Sequence, residues 1–271
     1  MARSLFQFVR ERPRLLVLTG AGCSTRAGIP DYRDAQGNWK RSEPMRYPVF
    51  VGDDHARRRY WARSMLGWHT MADAVPTDAH HALAALEQRG HVALLVTQNV
   101  DGLHQKAGSR QVIDLHGRID AVCCLACGTR FLRRTLQQEL ERRNSAWLGY
   151  SAAAAPDGDA DLERSDFAHY SVPDCARCGG MLKPDVVFFG ESVPRDRVDA
   201  VRQALAAADG LLVVGSSLMV YSGYRFVEEA VAAGKPVAVL NQGRTRADPV
   251  LTLKVEAEVG VTLQELVAQL D

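Results

Sequence analysis

The sequence predicts an α/β protein built on a doubly wound, Rossmann-like parallel sheet that carries a smaller inserted domain. Short apolar runs typical of buried strands recur along the chain and end in glycine or small polar residues, at 14–19, 91–96, 112–115, 186–189, 211–214 and 237–240. Helical stretches separate several of these runs, notably 195–208 and 224–233. Alternating buried strands and helices indicate a parallel sheet covered on both faces. The alternation stops between about 120 and 183, which indicates the insertion.

The composition is that of an ordinary globular protein and shows no sign of a highly charged partner. The 271 residues include 33 basic and 32 acidic side chains, a formal charge of +1. We therefore expect neither nucleic acid nor a membrane as a partner. No apolar segment approaches the roughly 18 residues of a transmembrane helix, and no signal-peptide core is evident. These features predict a cytoplasmic protein and leave its oligomeric state open.

The first predicted strand, 14–19, follows a short helix at 5–10 and runs directly into a glycine-rich turn at 20–28. Glycines at positions 20, 22 and 28 permit a tight turn and let backbone N–H groups approach a diphosphate, with a helix N-terminus favouring the negative charge. The pattern is not the standard dinucleotide fingerprint, and a plain strand-to-helix turn is the alternative. The turn is followed by a charged and aromatic cluster that packing does not require, Ile29-Pro30-Asp31-Tyr32-Arg33-Asp34.

The region between this cluster and the second strand is predicted to form loops and helices beside the ligand-binding cleft of the sheet. The segment 34–76 lacks a clean period, which indicates an irregular loop followed by helices. The segment 79–87 places Leu83 and Leu86 on one face and predicts an amphipathic helix capped by Thr77 or Asp78. We expect His80 and His81 to lie on the surface of that helix.

The strands at 91–96 and 112–115 deliver polar side chains to one edge of the predicted sheet. The first is followed by Gln98, Asn99 and Asp101, and the second by His116. Ligands bind at the carboxyl ends of strands in open parallel sheets. An amide and a carboxylate that can bind ribose hydroxyls, beside an imidazole able to act as a base, are typical of chemistry at a ribose carbon. A structural role is the alternative for His116, and we expect such a role for His104, inside the helix after Asp101.

Four of the six cysteines form two Cys-x-x-Cys pairs, Cys124 with Cys127 and Cys175 with Cys178. In a chain without an export signal, this usage favours metal binding over disulfides. Four thiolates give one Zn²⁺ the closed tetrahedral set of a structural site, and a redox pair or inert thiols are the alternatives. Cys123 is one residue farther from Cys127, so Cys124 is the better ligand.

These features divide the chain into two predicted domains. Residues 1–119 and 184–271 form the Rossmann-like domain that carries the glycine-rich turn, with a helical insert at about 34–76. Residues 120–183 form the small zinc-binding domain, and the interval between its cysteine pairs holds a long polar helix candidate and a low-complexity run at 151–161.

In their order along the chain, the motifs resemble those of the sirtuins. The resemblance extends from about residue 12 to 265, and within that family the segments 183–191 and 215–223 look most like the class II branch. That branch includes mitochondrial lipoamidase and ADP-ribosyltransferase members and many bacterial proteins. Tyr32 replaces the usual Phe and Ala27 a frequent Ser, and both keep the shape of the site. The resemblance is carried by Gly20-Ala21-Gly22-x-Ser24-x-x-x-Gly28-Ile29-Pro30-Asp31-Tyr32-Arg33, 97–104, Leu115-His116-Gly117, the cysteine pairs and Gly215-Ser216-Ser217.

The resemblance implies that NAD⁺ binds across the 20–28 turn, which assigns Gly20, Ala21, Gly22, Ser24 and Gly28 to it. Ile29, Asp31 and Asn99 would form the nicotinamide pocket, Gln98 and Asp101 would orient the nicotinamide ribose, and Tyr32 and Arg33 would cover the leaving-group side. The adenosine end would reach Gly215, Ser216, Ser217, Asn241, Gln242, Gly243 and Val259.

By the same resemblance, NAD⁺ is consumed as a co-substrate in the removal of an acyl group, acetyl by family default, from a protein lysine. The amide oxygen of the acyl-lysine attacks the ribose carbon as nicotinamide leaves, and His116 then acts as general base for a ribose hydroxyl. The products are free lysine, nicotinamide and O-acyl-ADP-ribose. The acyl-lysine protein would bind as an extended strand after Phe189 and Ser217.

Two details bear on the acyl group. Phe188, Phe189 and Val220 could wall an acyl tunnel or be core strand residues. Tyr60-Trp61-Ala62-Arg63 has the Tyr-x-x-Arg spacing with which a desuccinylating branch binds a carboxylate, but its position differs from that branch. We therefore expect Arg63 to be structural or on the surface.

Other functions fit the motifs less well. A mono-ADP-ribosyltransferase or a lipoamidase-type deacylase would use the same NAD⁺ site. A nonenzymatic NAD-sensing module is disfavoured by the presence of His116, Asn99 and Asp101 together. A hydride-transferring oxidoreductase accounts for the sheet and the glycines but not for four cysteines combined with Leu-His-Gly.

Overall fold

The computed structural model describes residues 2–40, 44–150, 153–154, 160–162 and 166–270. Its strands are β1 (Leu15–Thr19), β2 (Val92–Thr97), β3 (Val112–Asp114), β4 (Gly117–Cys124), β5 (Arg130–Leu132), β6 (Ala153–Ala154), β7 (Ala160–Asp161), β8 (Leu182–Val186), β9 (Gly210–Val214), β10 (Val237–Leu240) and β11 (Leu253–Val255). Its helices are α1 (Ala2–Arg10), α2 (Tyr47–Gly52), α3 (Asp54–Asp73), α4 (Asp78–Gln88), α5 (Leu103–Lys106), α6 (Arg133–Arg143), α7 (Arg195–Ala207), α8 (Tyr221–Ala232) and α9 (Val259–Gln269). No helix in these ranges is long and apolar enough to span a bilayer.

The main sheet has six strands in the order β11-β10-β9-β1-β2-β3, and every neighbouring pair is parallel. All residues of β1, β9 and β10 are buried, because helices cover both faces of the sheet. One face packs on α1, α4 and α9, and the other on α7 and α8. The predicted doubly wound, Rossmann-like fold is confirmed.

The strand order creates a crevice at one edge of this sheet. The strand β1 lies between β2 and β9, and the chain adds β2 and β3 on one side before it adds β9, β10 and β11 on the other. Ligands of open parallel sheets bind at such a switch point, outside the carboxyl ends of the strands. The segments that follow β1, β2 and β9 therefore meet there.

Two local predictions were wrong. The apolar run 186–189 is not a strand of the parallel sheet, because β8 ends at Val186 and pairs antiparallel with β4. The glycine turn after β1 does not open a long helix either. It forms two short 3-10 turns, Ala21–Cys23 and Thr25–Ala27, and Gly28 ends the second with a left-handed φ of 82°.

The cysteine-containing region forms a second, antiparallel sheet in the order β5-β4-β8, beside α6. Its apolar residues join those of α2 and α3 in one core that includes Trp61, Leu140, Trp147 and Tyr170. Arg133 of α6 is fully buried in this core, where it bonds to Ser64 and Gln137. The helical segment before α4 thus packs on the cysteine-containing region. The low-complexity run lies partly outside the described residues.

The helix α4 shows why one histidine prediction was wrong. Thr77 caps this helix in a reciprocal capping box with His80, as the sequence indicated for Thr77 or Asp78. His81 is exposed, but His80 is completely buried. The His80 Nδ1 accepts a hydrogen bond from the Thr77 amide at 3.1 Å, so the imidazole is turned back toward the start of the helix. The ring therefore lies under the glycine turn and not on the helix surface.

Candidate active site

A cleft of about 860 Å³ opens at the carboxyl edge of the main sheet. One end is lined by the segments that follow β1, β2, β9 and β10, and the other by the segment after β8 and by α7 and α8. Most of the residues assigned to NAD⁺ or catalysis line this cleft: Gly20, Ala21, Gly22, Ser24, Ile29, Asp31, Tyr32, Arg33, Gln98, Asn99, Asp101, His116, Gly215, Ser216, Ser217, Asn241 and Gln242.

Three assigned residues lie elsewhere in the structure. Gly28 ends the second 3-10 turn and Gly243 packs against Ala35, and neither lines the cleft. Val259 is the first residue of α9, and its side chain is buried in the core beside Leu263. Contact of these three residues with NAD⁺ stays a prediction.

The glycine turn is pressed against the segment after β9. The Gly22 amide donates to the Gly215 carbonyl at 2.8 Å. A Cβ on Gly22 would lie 2.9 Å from the Gly215 Cα, which excludes a side chain. The amides of Cys23 and Ser24 also donate within the turn. The floor of the cleft is therefore bare backbone, as a bound diphosphate requires, but these three amides are already committed to protein carbonyls.

A buried hydrogen-bond network joins the polar residues after β2 to this turn. The Asn99 side-chain nitrogen donates to the Gly20 carbonyl at 3.1 Å and to the Ser24 hydroxyl at 3.0 Å. The Ser24 hydroxyl donates to Asp101 at 2.7 Å, and the second Asp101 oxygen accepts the Leu103 amide at 2.8 Å. With both amide hydrogens of Asn99 used, its carbonyl oxygen is the group available to a ligand.

His116 lies where the two ends of the cleft meet. Its Nδ1 is 2.9 Å from the Gln98 carbonyl oxygen, and its Nε2 is 2.8 Å from the Ser222 hydroxyl. Because a carbonyl oxygen only accepts, Nδ1 carries the proton and the neutral ring presents the Nε2 lone pair. Burial lowers the pKa of His116 to about 4, and the charges of Arg197 and Arg225 add to this effect. The imidazole is therefore neutral, and able to accept a proton, at pH 7.

Two further histidines form a buried layer under the cleft. The rings of His80 and His104 are 4.6 Å apart. His104 bonds to the Thr19 hydroxyl at 2.9 Å, and the Nε2 of His80 lies 3.5 Å from the Ser24 hydroxyl. Burial lowers the pKa of His80 to about 4 and that of His104 well below its usual range. His104 is buried in the short helix after Asp101, as expected for a structural residue.

The cluster that follows the turn forms an aromatic wall. Tyr32, Trp39 and Phe189 make edge-to-face contacts with centroids 5.7 to 6.1 Å apart. The Arg33 guanidinium stacks on Trp39, and the Asp31 carboxylate pairs with Lys40. The buried Tyr32 hydroxyl has no partner among the described residues. The charged groups of this wall are thus paired within their own loop.

Ser222 and Arg225 line the cleft from α8 and were not among the site residues predicted from the sequence. We predicted that α8 begins at residue 224, whereas it begins at Tyr221. The first turns of a helix that follows a sheet strand face the crevice. By contrast, neither Tyr60 nor Arg63 lines the cleft.

The four predicted cysteines come together. The sulfurs of Cys124, Cys127, Cys175 and Cys178 all lie within 4.8 Å of one another. Tetrahedral zinc with four thiolates requires sulfur separations of about 3.8 Å, and two of the pairs lie at 3.5 and 3.8 Å. Cys123 is outside this cluster, because successive side chains of β4 point to opposite faces. The donor set and spacing therefore fit one structural Zn²⁺.

The fold and the site together define a class of enzyme. Its members have a nucleotide-binding cleft at the edge of a doubly wound sheet, a neutral histidine in that cleft and a module with four cysteines. A model of the Sir2 family matches residues 20–222. The chain belongs to the Sir2 family, as its motifs indicated.

Similar proteins agree with this assignment. The chain is 59% identical to NAD-dependent protein deacetylase 2 of Bradyrhizobium diazoefficiens over 94% of this chain and 93% of the relative. It is 58% identical to an NAD-dependent protein deacetylase of Bordetella bronchiseptica, over 98% and 97%. A solved structure described as Sir2 with a p53 peptide and NAD⁺ superposes with a TM-score of 0.77, at 27% identity over 99% and 98% of the two chains. The predicted sirtuin relationship and the predicted activity class, NAD-dependent protein deacylation, are confirmed at this level.

Proposed function

We propose that this protein removes acyl groups, acetyl in the first instance, from lysine side chains of proteins and consumes NAD⁺ in doing so. The proposal rests on the state of His116, which lines the cleft with Nδ1 tied to the Gln98 carbonyl and with Nε2 as the proton-accepting nitrogen, bonded to the Ser222 hydroxyl. A base held in one tautomer beside a nucleotide-sized cleft suits proton removal from a ribose hydroxyl.

The bound NAD⁺ supplies an electrophilic ribose carbon and nicotinamide as the leaving group. Its diphosphate would lie on the bare backbone where Gly22 meets Gly215, with Ser216 and Ser217 beside it. The nicotinamide end would lie by Ile29, Asp31 and the free carbonyl oxygen of Asn99. Because both Asp101 oxygens are bonded within the protein, Asp101 would act through Ser24 by fixing the turn and the Asn99 amide.

The Ser222 hydroxyl occupies the position from which a ribose hydroxyl would have to approach Nε2. Ser222 would therefore have to yield that bond during the reaction. The neutral His116 would take the proton from the ribose hydroxyl, which then captures the acyl group. A pKa lowered by burial keeps the imidazole in the proton-accepting form at neutral pH.

The acyl-lysine peptide would enter as an extended strand between 187–190 and 217–220, two segments that both line the cleft. The second segment carries a strained backbone, since Leu218 has a φ of 58° while its side chain is buried. Strain of this kind is retained where the surrounding structure fixes a functional segment. Main-chain pairing would make the enzyme tolerant of the peptide sequence.

The test uses purified protein with NAD⁺ and peptides that carry acetyl-, lipoyl-, long-chain-acyl- or succinyl-lysine. We expect nicotinamide release only when a peptide is present, in equal amount with deacylated peptide and O-acyl-ADP-ribose. Nicotinamide release together with transfer of labelled ADP-ribose to unmodified protein would overturn this proposal in favour of mono-ADP-ribosylation. The best acyl substrate would also separate a deacetylase from a lipoamidase-type enzyme.

A further inference from the structure

The wall of the cleft formed by α7 and α8 carries three arginines for which the proposed reaction has no use. Arg195, Arg202 and Arg225 line this wall. Arg202 is already neutralised, because its guanidinium bonds to Glu229 at 2.8 Å and lies 3.5 Å from Asp199. Arg195 and Arg225 have no carboxylate partner within the described part of the chain.

Arg225 is close to the reacting atoms. It follows Ser222 by three residues on α8, and residues so spaced share one face of a helix. The Ser222 hydroxyl is bonded to Nε2 of His116 at 2.8 Å. The charge of Arg225 is also among the causes that lower the pKa of His116. The Arg225 guanidinium therefore acts on the centre of the cleft and not on distant solvent.

The hydrogen bonding of Arg225 is incomplete among the described residues. Its guanidinium lies over the Tyr221 ring at 5.4 Å, and its Nε is buried without a hydrogen-bond partner. A buried donor without an acceptor costs free energy, about 1–3 kcal/mol in general. Because Arg225 also lines the cleft, an acceptor on a ligand could bind the remaining N–H donors of its guanidinium.

We propose that Arg225 binds a carboxylate of the substrate beside the acylated lysine, so that the enzyme prefers acidic substrates. The inference deepens the proposed deacylase function and rests on it. The guanidinium fork matches a carboxylate in a bidentate pair. The carboxylate has two possible sources with the same chemistry, an Asp or Glu side chain next to the lysine or an acyl chain that ends in a carboxylate.

The experiment measures kcat/KM for three peptides at pH 8. Two butyryl-lysine peptides differ only in Glu or Gln at the positions flanking the lysine. The third peptide keeps the Gln flanks and carries succinyl-lysine, which has the same chain length as butyryl-lysine and differs in the terminal carboxylate. The neutral butyryl peptide with Gln flanks is thus compared with two acidic peptides, which gives two pairs. Each peptide is assayed with the unmodified protein, with Arg225→Gln, with Arg225→Lys and with Arg246→Gln.

Arg246 is the matched control, because its guanidinium also stacks near Tyr221, at 5.6 Å, but does not line the cleft. We expect the unmodified protein to favour the acidic peptide of one pair about tenfold, which is the effect of one charge-assisted hydrogen bond. Arg225→Gln should reduce the ratio of the two kcat/KM values to about one, Arg225→Lys should restore part of the preference, and Arg246→Gln should retain it.

The pair that shows the preference identifies the source of the carboxylate. A preference in neither pair, or one that survives Arg225→Gln, overturns this inference while deacylation of the neutral peptide stands. No turnover of any acyl peptide would overturn the proposed function itself. Turnover of the neutral peptide by Arg225→Gln shows that the variant is folded.

Discussion

The imidazole of His116 is held by two hydrogen bonds that decide which nitrogen carries its proton. The Gln98 carbonyl fixes the proton on Nδ1, and the Ser222 hydroxyl is bonded at Nε2. Burial disfavours the imidazolium form. The residue is thus preorganised as a base, and removing it should affect the chemical step more than NAD⁺ binding.

We predict that His116→Ala lowers the deacylation rate by a factor of about 10² to 10⁴, the usual contribution of a general base. The binding constant for NAD⁺, measured by calorimetry, should change little, because the cleft floor is built from other residues. His81→Ala, which removes an exposed histidine of α4, is the control and should keep full activity. An unimpaired turnover rate in His116→Ala would refute the assignment of His116 as the base.

At the scale of elements, the junction between β3 and β4 positions this base. Gly117 has a φ of 84°, and a Cβ there would lie 2.0 Å from the Asp185 carbonyl oxygen. Gly117 also pairs with Val186 in the ladder between β4 and β8. The close approach of these strands fixes the backbone next to His116, and only glycine permits it.

Gly117→Ala should therefore destabilise the protein and displace His116. The left-handed backbone alone costs about 1–2 kcal/mol for a residue with a Cβ, and the clash with backbone adds to it. We expect a loss of at least about 3 kcal/mol in the free energy of unfolding in urea, with loss of deacylase activity. Gly52→Ala in α2, where a Cβ meets nothing within 4 Å, should change neither.

The cysteine cluster is the second feature at this scale, and it requires a cation between its four sulfurs. Its sulfurs bring together two turns, one after β4 and one before β8. Backbone bonds from Gly128 to Cys124 and from Cys124 to Thr129 close the first turn, and bonds from Gly179 to Cys175 and from Cys175 to Gly180 close the second. Four thiolates close together repel one another unless a cation neutralises them. Metal binding should therefore stabilise this antiparallel region.

Cys175→Ser should lose stoichiometric zinc, measured by atomic emission, and should unfold at a lower temperature. Cys123→Ser is the matched control, because it makes the same change at a cysteine next to the ligand Cys124. It should keep one zinc per chain, since Cys123 lies outside the cluster. Full zinc retention in Cys175→Ser would show that these four cysteines do not form the metal site.

At the scale of the whole molecule, a buried polar layer underlies the glycine turn. His80 packs against His104 and lies 3.5 Å from the Ser24 hydroxyl, which bonds to Asp101, and His104 bonds to Thr19 at the end of β1. Both have a folded-state pKa below the ordinary value near 6.5. Between those values the unfolded chain binds more protons than the folded one, so stability is complete above pH 6.5 and is lost as the pH falls toward 4.

We expect the free energy of unfolding to fall by a few kcal/mol between pH 7 and pH 4.5, as measured by urea denaturation. His80→Gln should flatten this dependence, because it removes one of the buried groups. His81→Gln should leave it unchanged, since His81 is exposed. A pH dependence that is equal in all three proteins would contradict a role for the buried histidines.

The sequence by itself determined the features that depend on local pattern. Apolar runs placed the strands β1, β2, β9 and β10, because strands covered by helices on both faces are rich in apolar residues. The residues after the parallel strands had to meet at one edge of the sheet, which located Asn99 after β2 and His116 after β3. Cysteine spacing likewise selected Cys124 over Cys123.

Only the tertiary structure decided what depends on partners distant in the chain. The run 186–189 reads as a parallel strand, but its neighbour is the antiparallel β4, which periodicity does not reveal. His80 looks like a surface residue of α4 until the glycine turn covers it. Ser222 and Arg225 have no motif of their own and reach the cleft only because α8 packs beside His116. The sequence pattern determines which face of a helix or strand is apolar. Which residues contact the apolar and the polar faces is determined only when the elements pack together.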